Sequence, residues 1–208
     1  GYRVFTVINT IALAFLAILC ILPMIHILAV ALSGRAAATA NLVYFWPVNF
    51  TLDAFNDTLT NPNFSRSVLI SVQRTLLGLA VFLVVATLTA YPLSKENHAF
   101  KGRSLYTWFF IFTMLFSGGL VPLYILVMKL GLNNSIWALI LPSAVDVWSI
   151  ILLLNFFRNI PKELEEASLI DGAGHIATMV RIYLPLSLPA LATLSLFTLV
   201  FHWNEWFH

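Results

Sequence analysis

The chain has 208 residues, 60% of them apolar and only 10% charged, with a formal charge of +2 and a mean hydropathy of +0.91. Such a composition lies outside that of water-soluble globular domains and makes a lipid bilayer the expected solvent. The small net charge and the lack of a basic run argue against a nucleic-acid partner, and one cysteine, Cys20, can build neither a disulfide framework nor a thiolate metal cluster.

An apolar helix needs about 20 residues to cross a bilayer core. Five stretches meet that length. The first, residues 4–32, holds Pro23, where a missing backbone donor is expected to kink the helix. It is longer than a signal-peptide core and lacks a small-residue cleavage site, so it reads as a retained anchor. Residues 35–66 carry Trp46-Pro47, Asn49, Asp53, Asp57 and Asn61-Pro62-Asn63, turn formers that mark an extramembrane connection with one short helix near 52–59. The second span, 67–93, ends at Lys95, Lys101 and Arg103. Short cytoplasmic loops collect Lys and Arg, so these charges place the 95–103 loop and the start of the chain in the cytoplasm.

The third span, 104–128, contains Gly118-Gly119 next to Pro122, which predicts an irregular or closely packed middle. It leads outward to a turn at Lys129 to Asn134. The fourth span, 136–157, returns inward to the most charged stretch of the chain, and the fifth, 186–206, goes out again. The chain starts without Met and stops directly after an apolar segment, so it reads as a fragment of a protein with a sixth span.

Residues 158–185 form the cytoplasmic loop of this topology. Pro161 suits a first helical turn, and Glu163, Glu165 and Glu166 complement the positive end of the helix dipole. A helix over 161–170 places Leu164, Ala167, Ser168 and Asp171 on one narrow face of small side chains flanked by carboxylates. Gly172 and Gly174 allow a sharp turn, and a second helix over 175–183 is expected to end at Leu184-Pro185.

In that loop Glu166-Ala167-Ser168, three residues, Gly172, nine residues, then Ile182-x-Leu184-Pro185 resembles the EAA motif of ABC-importer permeases. The string from Ile160 to Ala173, with Glu165, Asp171 and Gly172 inside it, is similar to the carbohydrate (maltose-type) branch. Ala90-Tyr91-Pro92-Leu93-Ser94, Phe116 to Pro122 and His202-Trp203-Asn204-x-Trp206 look like the subgroup associated with complex, often acidic, oligosaccharides. The resemblance implies an all-α membrane protein, the type I ABC importer transmembrane domain. Five of six spans would then be present in a single domain over 1–208, sited in a bacterial cytoplasmic membrane. It also implies an ABC ATPase dimer docked on the 158–185 loop, with Glu166 making a polar contact and Gly172 permitting the turn. A second permease subunit and an extracytoplasmic substrate-binding protein complete the implied assembly. Ser168 stands where the motif has a second Ala, and its small size is expected to preserve the docking surface.

Polar groups within spans nominate a translocation path. Asp146, Trp148, Asn155 and Asn204 are the candidates, with Gly118 and Gly119 as the irregular backbone. Arg74 and Glu205 read either as path residues or as side chains snorkelling to the outer interface, and Trp137, Trp203 and Trp206 suit an interfacial belt. His26 and His202 are expected to bond to neighbouring helices, and His175 to be solvated. The chain has no phosphate-binding G-x-x-x-x-G-K-[ST], so ATP and Mg fall to a partner chain, and no nucleophile or metal-ligand arrangement marks it as an enzyme. An amino-acid or peptide importer of the same architecture is the alternative. A secondary transporter is a third reading, disfavoured by the scarcity of mid-span ionisable groups.

Overall fold

The computed structural model describes residues 2–96 and 100–205. Among these the regular structure is helical, apart from one antiparallel bridge between Ser33 and Phe50. Packing divides the chain into two compact units, Gly1–Val68 and Leu69–His208, where the sequence suggests one domain. The physical reason lies in α1 (Tyr2–Ala31), whose only buried residue is Ala29. A helix that is apolar on every side keeps its surface for lipid.

In the first unit α1 runs on through Pro23. Within it Thr6 and Thr10 return their hydroxyls to carbonyls one turn back, at 2.9 and 2.8 Å, which satisfies them without water. The connection that follows folds back onto the end of α1. Ser33 is its knot: the hydroxyl donates to the Ala29 carbonyl at 2.6 Å and accepts the Val48 amide at 3.0 Å. A small core of Ala29, Ala37 and Val43 forms there with α2 (Arg35–Thr39). The short helix expected near 52–59 is α3 (Asp53–Thr60). His26 bonds the Tyr44 carbonyl at 2.7 Å, a partner in the connection and not in a helix as expected.

The division falls inside α4 (Pro62–Ser94). This helix starts earlier than the sequence suggests, because Asn61-Pro62-Asn63 is a helix start and not a turn. The Asn61 side chain accepts the Asn63 amide at 3.0 Å, and Pro62 stands in the first turn, where no donor is needed.

The second unit is built around one face of α4, with Phe82, Ala86 and Ala90 at four-residue intervals, meeting Ile150, Leu153, Leu154 and Phe157 of α8 (Val147–Arg158). Small residues such as Ala86 and Ala90 permit the close helix approach that membranes favour. Leu194 of α12 (Leu188–Asn204) joins this core.

Only α1 and α4 are long and apolar enough to cross a membrane as single helices among the described residues; three bent pairs of helices reach that length and apolarity only when each pair is taken together. The expected third span breaks into α5 (Arg103–Leu115) and α6 (Leu120–Lys129), bent by 118°. Gly119 makes the break with φ +82° and ψ −177°, a conformation open essentially to glycine alone. Of the two readings for that segment, irregular and closely packed, irregular holds: a Cβ added at Gly119 would meet nothing within 4 Å.

The fourth span is α7 (Ile136–Ile140), a 3-10 turn over Leu141–Ser143, and α8, bent by 52°. The last is bent by 80° at Ser187, between the helical run His175–Leu186 and α12. Trp206 and residues 97–99 lie outside the described residues.

At the end of α12, His202 packs on Gly78 of α4, and Arg74, one turn earlier on α4, pairs with the Glu205 carboxylate and donates to its carbonyl at 3.2 Å. Arg74 is 6% exposed, so neither it nor its partner snorkels. A Cβ at Gly78 would stand 2.5 Å from His202 Nε2. Gly78→Ala is expected to destabilise the protein by about 1–3 kcal/mol. Thermal unfolding in detergent should also show the double variant Gly78→Ala/His202→Ala less destabilised than the sum of the two singles.

Candidate functional site

The 158–185 loop is built from α9 (Lys162–Ile170), a glycine turn and α10 (His175–Thr178). Pro161 precedes α9 in extended geometry, one position before the expected first turn. The helix ends at Gly172, with φ +83°. There the Ala173 amide reaches the Ser168 carbonyl at 2.9 Å and the Gly172 amide reaches the Leu169 carbonyl at 3.1 Å. This pair of bonds is the Schellman closure, and it requires a left-handed residue at position 172. The expected stop of the second helix at Leu184-Pro185 is absent. Past α10 the chain widens into a π turn over Met179–Tyr183 and runs on through α11 (Leu184–Leu186). Pro185 donates no amide, and the wide turn directly before it accommodates that gap.

The inward side of α9 is fixed by a polar clasp. Lys95, just past the end of α4, pairs with Glu165 at 2.7 Å. Its ammonium lies over two aromatic faces, 3.9 Å from the Tyr91 ring centre and 4.0 Å from that of Tyr183, a favourable placement for a cation. The Tyr183 hydroxyl donates to the same carboxylate at 2.7 Å, and the Tyr91 and Tyr183 rings meet edge to face. Beside this clasp, Lys162 pairs with Glu96. One turn along α9 the Ser168 and Thr178 hydroxyls share a hydrogen bond at 2.8 Å.

The structure therefore divides the residues singled out in the loop. Glu166, Ala167, Asp171 and Gly172 are exposed, Ala173 is half-buried, and Glu165 and Ser168 turn inward. Ser168 thus does not belong to the outward face with Leu164, Ala167 and Asp171; its hydroxyl is spent on Thr178. Ile182 and Leu184 pack against the hydrophobic core, and Pro185 is exposed. Sequence reasoning missed Ile170 and Ile176, which at 85% and 75% exposure are the most exposed large apolar side chains of the loop. Their apolar character in a charged segment was the available signal. It also missed Lys95, Tyr91 and Tyr183 as partners of Glu165.

Among the path candidates, Asp146 and Trp148 come together with Phe109, Phe110, Thr113 and Met114 of α5 along a groove of 490 Å³. Asp146 also caps α8, accepting the Ser149 amide at 3.3 Å and the Ser149 hydroxyl. Asn155 is exposed on the same face of α8 as Trp148, while Asn204, Gly118 and Gly119 lie on other elements and do not line the groove.

The sequence pattern of the family described as binding-protein-dependent transport system inner membrane component matches residues 82–207. Protein LplC of Bacillus subtilis (strain 168) is 42% identical over 206 residues, 99% of this chain and 69% of its own length. The polygalacturonan/rhamnogalacturonan transport system permease protein YtcP of the same organism is 41% identical over 194 residues, 93% of this chain and 67% of its own length. Among solved structures, a bacterial ABC transporter involved in the import of the acidic polysaccharide alginate superposes with a TM-score of 0.91 at 31% identity, over 99% of this chain and 72% of the matched one.

The clasp carries a pH dependence. Burial works to raise the pKa of Glu165, but hydrogen bonds from Lys95 and Tyr183 and the Lys95 charge outweigh it and hold the group below its ordinary 4.5. A carboxyl lowered in the folded state stabilises above its unfolded value, and that stabilisation is lost as pH falls through the folded value. Glu165→Gln is expected to cost about 1.5–3 kcal/mol at neutral pH. The gap between variant and parent then closes below pH 4.5, a trend that unfolding curves in detergent over that range check.

Proposed function

The chain belongs to the family of binding-protein-dependent transport system inner membrane components, and from that premise we propose that it is the permease subunit of an ATP-driven importer of acidic oligosaccharides, driven through the 158–185 loop. As a member it is a multi-pass inner-membrane permease with the all-α type I importer fold. The sugar class follows the relatives: one is named for polygalacturonan and rhamnogalacturonan, and the matched structure is named for alginate.

The observation that carries the coupling role is the outward face of the loop. Ala167 and Ile170 of α9 and Ile176 of α10 are exposed apolar residues, and Glu163, Glu166 and Asp171 are exposed on the same loop. Exposed apolar side chains on a short helical hairpin, flanked by carboxylates, suit insertion into a cleft of another protein. An ABC ATPase dimer is that partner, binding ATP and Mg, with Glu166 meeting a polar group of the cleft. Lys and Arg at 95, 101, 103, 158, 162 and 181 favour the cytoplasmic side for the loop. A second permease subunit and an external binding protein complete the assembly. The groove of Asp146 and Trp148, together with Asn155, Asn204 and the Gly118-Gly119 break, supplies the path residues. Alternating access is then a rigid-body motion driven by ATPase closure.

Gly172→Leu tests the reading. A side chain at φ +83° strains the turn that sets the angle of α9. The expected outcome is reduced co-purification of the ATPase and reduced ATP-dependent uptake in reconstituted vesicles. Unchanged values of both would overturn the coupling role.

A further inference from the structure

A lever needs a joint that resists both sliding and turning, and α9 meets α4 through two crossed ion pairs. The segment just past α4 carries Lys95 and then Glu96; α9 carries Lys162 and, one turn later on the same face, Glu165. Each cation faces the anion of the other segment. One attachment would be a pivot, whereas two separated along α9 fix its rotation as well.

The two pairs differ in strength. The side chains of Lys162 and Glu96 are 69% and 50% exposed, a setting in which an ion pair contributes little and is screened by salt. Those of Lys95 and Glu165 are 12% and 16% exposed, and the ammonium is held between two aromatic faces. Burial removes the competition of water, so this pair sets the geometry.

What the joint holds is the one unbroken span of the second unit among the described residues. The other three bend by 118°, 52° and 80°, and would absorb a push at their breaks. From Arg74 to its end at Ser94, α4 runs for roughly 30 Å at 1.5 Å per residue, with Pro92 in its last turn. Midway along α4 the helix is held again: Arg74 is paired with Glu205, and Gly78 packs directly against His202.

We infer that Lys95 is a positioning residue that locks the coupling loop to α4, so that α4 transmits the motion of the loop to the Arg74–Glu205–His202 contact midway along it. This rests on the coupling role proposed above. It departs from that role in assigning the transmission to the inward side of α9, to residues that face the end of α4. A helix held at two separate points offers two sites that bear on one element, as coupling needs.

The test uses the permease complex purified with its ATPase. A single cysteine placed at Leu76→Cys in a Cys20→Ser background reports solvent access near Arg74 through its maleimide labelling rate, with and without Mg and a non-hydrolysable ATP analogue. With Lys95 intact, the nucleotide changes the rate. Lys95→Met is expected to shrink that change by about fivefold or more while the ATPase still co-purifies. Lys95→Arg restores it, and Lys162→Met, which removes the exposed pair, shrinks it less than Lys95→Met does.

A full response in Lys95→Met overturns the joint and leaves the coupling role standing. Absence of any nucleotide response with Lys95 intact overturns the coupling role and the joint with it. Should Lys95→Met fail to assemble, Tyr183→Phe decides: it keeps the ring and loses the hydroxyl on Glu165, a partial loss of response supports the joint, and a full response overturns it.

Discussion

A bilayer core offers no hydrogen bonds, so each departure from a continuous helix has to find its partners inside the protein. The chain pays that requirement differently at each of its three breaks. At Gly119 a backbone conformation reserved for glycine reverses the path within three residues, and the Ser117 hydroxyl accepts the Gly119 amide at 3.3 Å. Before α8 the Asp146 side chain takes an amide that the helix cannot. At Ser187 the amide is shared between the Tyr183 and Leu184 carbonyls, at 3.0 and 3.1 Å. The second unit is organised around α4, with α8 and α12 packed in one core with it.

The sequence made the class and the five apolar stretches legible, since a run of apolar residues of membrane length has few other uses. It made Gly172 legible too, because a glycine directly after an acidic amphipathic helix is the signature of a left-handed cap. The breaks were less visible. Hydropathy measures length and not direction, so residues 104–128 read as one span although Gly118-Gly119 marked the place where they fold back. Asn61-Pro62-Asn63 was misassigned because the residues that favour turns also favour helix starts. Asp146 was nominated for the path by its charge, yet Asp146-Val147-Trp148-Ser149 also spells a helix cap. A carboxylate can serve both.

The clasp was beyond reach for a different reason. Lys95 reads as one of several cytoplasmic charges, Tyr91 as part of a motif, Glu165 as one of three acids in a row. Only the fold brings them into a single cage with Tyr183. The same cage shows why adjacent glutamates in the motif are not equivalent. Glu165 is occupied on the inner side of α9, while Glu166 faces out with Ala167 and Ile170. Ser168 follows the inner set. In place of the motif's alanine it gives the loop a hydroxyl bridge to Thr178, which ties the two arms of the hairpin across the Gly172 turn.

The crossed order of charges has a consequence for how such proteins can be recombined. A loop taken from a relative whose lysine and glutamate are exchanged on α9 would set ammonium against ammonium at Lys95 and carboxylate against carboxylate at Glu96. The 158–185 segment is therefore not a portable cassette. Chimeric permeases built to accept a foreign ATPase have to move the last turn of α4 together with the loop, and the natural crossover point lies upstream of Tyr91.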